Sequence, residues 1–246
     1  SVENKELALL EGMNLTAKSE LADDKKNINS QLDYTPNSLK IQGQDLGSGN
    51  LTLKVGQIDG NAWHQFSEQY NAQTRALMAQ PDVVQNPELY QQKVTEAFLS
   101  AVPLLLKGEP VITVAPLSWK NAKGESAFNL SLFLKDPAKT TTPAQTLAQE
   151  VDRNVKSLDS KLTIPMDMAV ELMTQVAKLE GYDQAQADKL ANQQVKGLAA
   201  MGQMFRITTM ENNTIATSLQ YANGQVTLNG EKMSLEEFVG MFGLPS

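Results

Sequence analysis

Apolar and polar residues alternate one for one through much of the first sixty positions. Met13, Leu15, Ala17 and Leu21 fall on one side of an extended chain, with Asn14, Thr16, Lys18 and Glu20 on the other. After the polar turn at Asp23-Asp24-Lys25-Lys26 the same period returns in Ile28, Leu32 and Tyr34. Leu39 and Ile41 follow a Thr35-Pro36-Asn37 turn, and Leu51, Leu53 and Val55 follow a Gly47-Ser48-Gly49 break. A period of two in short runs bounded by Gly, Pro, Asn and Asp predicts half-buried antiparallel strands. These runs predict a meander of four strands, preceded by a helical-looking run at residues 3–11.

The period then lengthens to that of a helix. Trp63, Phe66, Tyr70 and Leu77 share a face behind an Asp59 cap. A second helix starts at Asn86-Pro87, carries Leu89, Val94, Ala97, Phe98, Ala101 and Val102, and is expected to end or kink at Pro103. Val111, Thr113, Ala115, Leu117 and Trp119 alternate again, and Phe128, Leu130, Leu132 and Leu134 alternate back, which predicts a hairpin. A short helix at 143–154, a strand at 155–164 and helices at 165–181 and 183–202 follow. A last hairpin turns at Asn223-Gly224, and Ser234 with Glu237 opens a terminal helix reaching about Phe242. The expectation is an α+β fold, one domain over residues 1–246. In it a large curved antiparallel β-sheet of meander and hairpins carries helices packed on one face.

Composition narrows the function. The net charge of −7 and pI near 4.9 argue against a nucleic-acid surface, and Lys25-Lys26 is the only adjacent basic pair. Cysteine is absent, which excludes disulfides and thiolate chemistry and suits an oxidising periplasm. The 38 Asn and Gln residues supply the polarity that a modest charge content does not, a habit of exported bacterial proteins. The longest apolar stretch, residues 97–106, is about half of what a membrane-spanning helix needs. The chain begins at Ser1, and it reads as the C-terminal part of a longer envelope protein with its export signal or anchor upstream.

The search for chemistry ends in exclusions. His64 is the single histidine, so no multi-histidine metal site is available, and it sits beside Trp63 on an amphipathic helix with no nucleophile placed against it. Gly124-Glu125-Ser126-Ala127-Phe128 departs from a nucleophile elbow at its last position. Asp23, Asp24, Asn27 and Asn29 miss the spacing of a calcium loop. Glu236-Glu237 is explained by the preference of a helix N-terminus for negative charge. No catalytic residue, metal ligand or cofactor is assigned. Methionine is the unusual signal: eight of ten lie beyond residue 160. Met201, Met204, Phe205, Met241 and Phe242 are candidates to line an apolar groove between the late helices and the sheet, or else to fill its core.

Two segments carry a family resemblance. Gly108-Glu109-Pro110-Val111-Ile112-Thr113-Val114-Ala115-Pro116-Leu117-Ser118-Trp119 and Asn223-Gly224-Gln225-Val226-Thr227-Leu228-Asn229-Gly230-Glu231-Lys232-Met233 resemble the YdgA-like family of the bacterial envelope, whose function is unknown. The resemblance implies a protein about double this length, mostly periplasmic and anchored to the inner membrane near its N-terminus, with this chain as its C-terminal half. It implies no reaction. The expected function is that of a non-enzymatic periplasmic envelope domain binding a protein partner or an apolar ligand such as a lipid chain. A hydrolase using carboxylates without histidine, and a structural half of a larger envelope protein, are the alternatives.

Overall fold

Alternation along the chain becomes a sheet in which every pairing is antiparallel. The computed structural model describes residues 9–243. The meander is β1 (Leu9–Leu21), β2 (Asn27–Ile41) and β3 (Gln44–Asp59), continued by β4 (Val111–Asn121), β5 (Gly124–Leu134) and β6 (Val155–Pro165). Then come β7 (Thr209–Glu211), β8 (Thr214–Ala222), β9 (Gln225–Leu228) and β10 (Glu231–Ser234). Strand order follows chain order, β1-β2-β3-β4-β5-β6-β8-β9-β10, with β7 alongside β8, and the sheet does not close into a barrel.

Between β3 and β4 the chain makes α1 (Gly60–Met78), α2 (Pro81–Val84) and α3 (Pro87–Leu105). α4 (Leu147–Asn154) precedes β6, α5 (Met166–Leu179) and α6 (Gln184–Met204) precede β7, and α7 (Leu235–Gly240) ends the described chain. The caps read from sequence are present. Asp59 accepts from the Ala62 amide at 2.8 Å and Asn86 from the Leu89 amide at 3.1 Å. Ser234 and Glu237 form a reciprocal capping box.

Register sorts the sheet into two chemically different faces. One row across it reads Lys18, Gln31, Lys54, Thr113, Ser131, Asp159, Gln220 and Thr227, all polar. The neighbouring row, on the other face, reads Ala17, Leu32, Leu53, Val114, Leu130, Ser160, Leu219 and Leu228. Helices cover parts of the apolar face. α4 and α7 pack over β6, β8 and β9, with Ala148, Tyr221, Val226, Leu228, Leu235 and Val239 buried between them. α5 crosses one end from β3 to β6, where Met168 lies against Gly124 and its carbonyl accepts from Asn121 Nδ2 at 2.9 Å. α6 packs on α5 through Ala187, Ala191, Val195 and Ala199, small residues that let the two helices approach.

Several expectations need correction. The first meander has three strands, because β2 runs straight through Thr35-Pro36-Asn37. Pro36 sits where the pairing of β2 with β3 is irregular, between Tyr34 and Leu39, so its missing N–H breaks no regular ladder there. Gly47-Ser48-Gly49 lies inside β3 and is no break. Glycine is required there by close approach: a Cβ on Gly47 would meet the Lys120 carbonyl, and one on Gly49 would stand 2.9 Å from the Trp119 ring. α3 includes Pro103 and ends shortly after it, at Leu105. The helical run expected at residues 3–11 falls largely outside the described residues, and Leu9 to Glu11 are already strand.

Candidate functional site

The apolar face is not fully covered, and this exposure is the most informative feature of the structure. A second row reads Leu15, Tyr34, Leu51, Leu117, Phe128 and Leu162 across β1 to β6. A third reads Val55, Ile112, Leu132 and Leu158 before reaching Tyr221 and Val226. From β2 to β6 every apolar side chain of these rows keeps contact with solvent, and Leu117, on a central strand, is 49% exposed. Strand spacing and rise give these rows a footprint on the order of 600 Å², of which the partly exposed side chains leave a fraction open to solvent.

At the β8 end the strip deepens into a cavity of about 250 Å³ beneath α4 and α7. Leu147, Val151, Leu158, Leu219, Phe238 and Phe242 are among its lining residues, and its wall is wholly apolar. Leu158 and Leu219 belong to the strip as well, so cavity and strip are continuous. The volume lies below the ~300–1,000 Å³ of sites for drug-sized ligands. Leu147 and Phe242, 41% and 49% exposed, stand at its margin.

The methionine-based candidates are divided by the structure. Met204, Phe205 and Met241 line one shallow hollow with Arg206 and Ile207, between the end of α6 and the residues after α7. Phe242 lines the apolar cavity and stacks edge-on against Phe238 at 5.2 Å. Met201 is exposed on α6 and lines neither. Met166 and Met168 are buried, and Met173 and Met210 pack against the α5–α6 core. Sequence reasoning missed the strip residues Leu51, Leu117, Phe128 and Leu130 as a site. The signal was there as alternation in β3 and β5, but in β4 an irregularity between Val114 and Leu117 puts Thr113 on the polar face, opposite Leu117, against the expected alternation, and alternation cannot say which part of an apolar face its helices leave open.

The polar groups are arranged structurally. His64 is exposed on α1 beside Glu68, Nε2 to Oε1 3.4 Å. Asp24 accepts from the Asn27 and Lys26 amides, and these backbone donors hold its carboxyl below the usual carboxylate range. Asp33 is held down by the Gln31 amide and the Thr52 hydroxyl, Glu96 by Lys93, and Glu109 by Lys139 at 2.8 Å. Among the described residues no group of three His, Asp or Glu side chains converges to hold a metal. A hollow of about 770 Å³ is lined by Lys135, Gln145, Arg153, Asn223 and Glu236 among others, and it lies on the loop side of α4.

Tyr221 anchors the cavity floor. Its hydroxyl donates to Asp152 Oδ1 at 2.6 Å, and burial together with that bond pushes its pKa from 10.0 to about 12. Because the folded value is the higher, the stabilisation it represents is complete below pH 10 and is lost as pH rises towards 12. An ultraviolet titration should show one of the five tyrosines ionising near pH 12, and Tyr221→Phe should remove that late step. The same variant should cost about 1 kcal/mol in stability. A late step that survives the substitution would contradict the assignment.

The model of a family described as bacterial protein of unknown function (DUF945) matches residues 1–236. The chain is 75% identical over 246 residues to Protein YdgA of Escherichia coli (strain K12), covering 100% of this chain and 49% of that protein. It is 38% identical over 222 residues to Uncharacterized protein YihF of the same organism, covering 89% of this chain and 45% of that protein. It therefore spans about half the length of these curated relatives. No solved structure matches it.

Proposed function

We propose that this chain, which belongs to the DUF945 family of bacterial proteins of unknown function, works by binding and not by catalysis. Its ligand is an elongated apolar molecule, a lipid acyl chain, laid along the open strip with its end in the cavity beneath α4 and α7. The observation that carries this reading is the continuity of a wholly apolar cavity with a partly exposed apolar sheet face. Asp24, Asp33, Glu96 and Glu109 are each shifted down, the opposite of what a general acid needs. The reading places the protein in the periplasm, tethered through a segment upstream, in keeping with its amide-rich, cysteine-free composition. Among the described residues no helix is long and apolar enough to cross a membrane.

The test uses cis-parinaric acid, whose fluorescence rises on entering an apolar site, together with native mass spectrometry of the purified protein. Saturable enhancement and a co-purifying lipid mass are expected. Linear, unsaturable fluorescence with no bound mass would overturn the proposal.

A further inference from the structure

The two edges of the sheet are unlike each other. β10 is four residues long and leads directly into α7, which packs against it, so that edge is short and covered. β1 runs for 13 residues, and among the described residues it pairs with β2 alone. From Met13 to Leu21 its register with β2 is unbroken, and the stretch contains no proline. Its charged residues, Lys18 and Glu20, lie on the polar face; the apolar face shows Met13, Leu15, Ala17, Ser19 and Leu21. Met13, Leu15 and Leu21 are about 60% exposed (59%, 60% and 60%), whereas their β2 neighbours Tyr34 and Ile28 are half-buried. A free edge is normally blunted by proline, by a bulge, by charge or by shortness; of these the stretch has only Lys18 and Glu20, and both lie on the polar face.

We infer that the β1 edge is an acceptor for one more antiparallel strand, supplied by the part of the longer protein that precedes this chain. Two observations choose that occupant. Strand order follows chain order across the whole path, so a strand preceding β1 falls at this edge by continuing the meander. The relatives carry about as much chain again outside the matched half. The incoming strand brings alternating apolar residues, extending the rows through Leu15, Ala17 and Ser19 by one position and covering the exposed edge side chains. The inference concerns the edge and not the ligand of the face, and it stands or falls separately from lipid binding.

Residue-resolved hydrogen exchange tests it, on this chain alone and on the longer protein that contains it. In an antiparallel edge strand every second amide points away from its neighbour. In this chain that alternate set between residues 13 and 21 should exchange as unbonded amides. In the longer protein the same set should slow by at least about 100-fold. Ser19→Lys, which points a charge inward at the edge, should leave the circular dichroism of this chain unchanged and strip the protection from the longer protein. Equal, fast exchange in both proteins would overturn the inference. So would protection that appears in this chain alone as its concentration rises, which would make a second copy the occupant.

Discussion

Leu117→Lys should weaken uptake of a long-chain fatty acid by at least about tenfold while moving the unfolding free energy by no more than about 0.5 kcal/mol. Leu117 stands in the middle of the strip, between Leu51 and Phe128 in its row, and is already 49% exposed. An ammonium there stays hydrated when the site is empty, so folding loses little. A bound acyl chain would have to strip that water or leave the strip, and either costs more than the 1.4 kcal/mol that makes a factor of ten. Thr113→Lys is the matched control. Thr113 is on the same strand but on the polar face, between Lys54 and Ser131. It should leave uptake unchanged, and equal loss from both variants would mean that the sheet face is not the site.

Val226→Asp should destabilise the protein by about 4 kcal/mol or more and release α7 from the sheet. Val226 is 1% exposed and lies between Tyr221 and Met233 in its row, beneath the α4–α7 cover. The substitution removes an apolar contribution of about 2 kcal/mol and places a carboxyl group where the cavity offers no donor. Val226→Thr keeps the shape and should cost less, about 1–2 kcal/mol. Thermal unfolding and limited proteolysis after α4 and α7 read both. A Val226→Asp protein that melts with the parent would show that the cluster is not packed as described.

Much of this architecture is legible in the residue pattern, and the failures have local causes. The hairpin of β4 and β5 and the turn at Asn223-Gly224 are readable from their turn chemistry, although the expected face of β4 is split by an irregularity between Val114 and Leu117. Thr35-Pro36-Asn37 and Gly47-Ser48-Gly49 carry the residues of turns, yet both are strand. At Gly47 and Gly49 the reason lies some seventy residues away, in Trp119, whose ring packs over them and whose Nε1 donates to the Leu46 carbonyl at 2.7 Å. β7 and β10 are three and four residues long, too short for a period to show. The site divides in the same way. Phe242 lines the cavity and Met204, Phe205 and Met241 share a neighbouring hollow, but the strip itself depends on where α4, α5 and α7 stop, which no single segment encodes.

The most direct test of an apolar chain lying on this face uses the two tryptophans. Trp119 borders the strip, paired with Gly49 and Ser126 in the adjoining row, while Trp63 is on α1, stacked on Phe66 at 5.6 Å. A brominated fatty acid, which quenches tryptophan by contact, should saturably quench Trp63→Phe, where Trp119 is the reporter. It should leave Trp119→Phe bright. Quenching confined to Trp63, or none at either residue under saturating ligand, would contradict the assignment of the open sheet face as the binding surface.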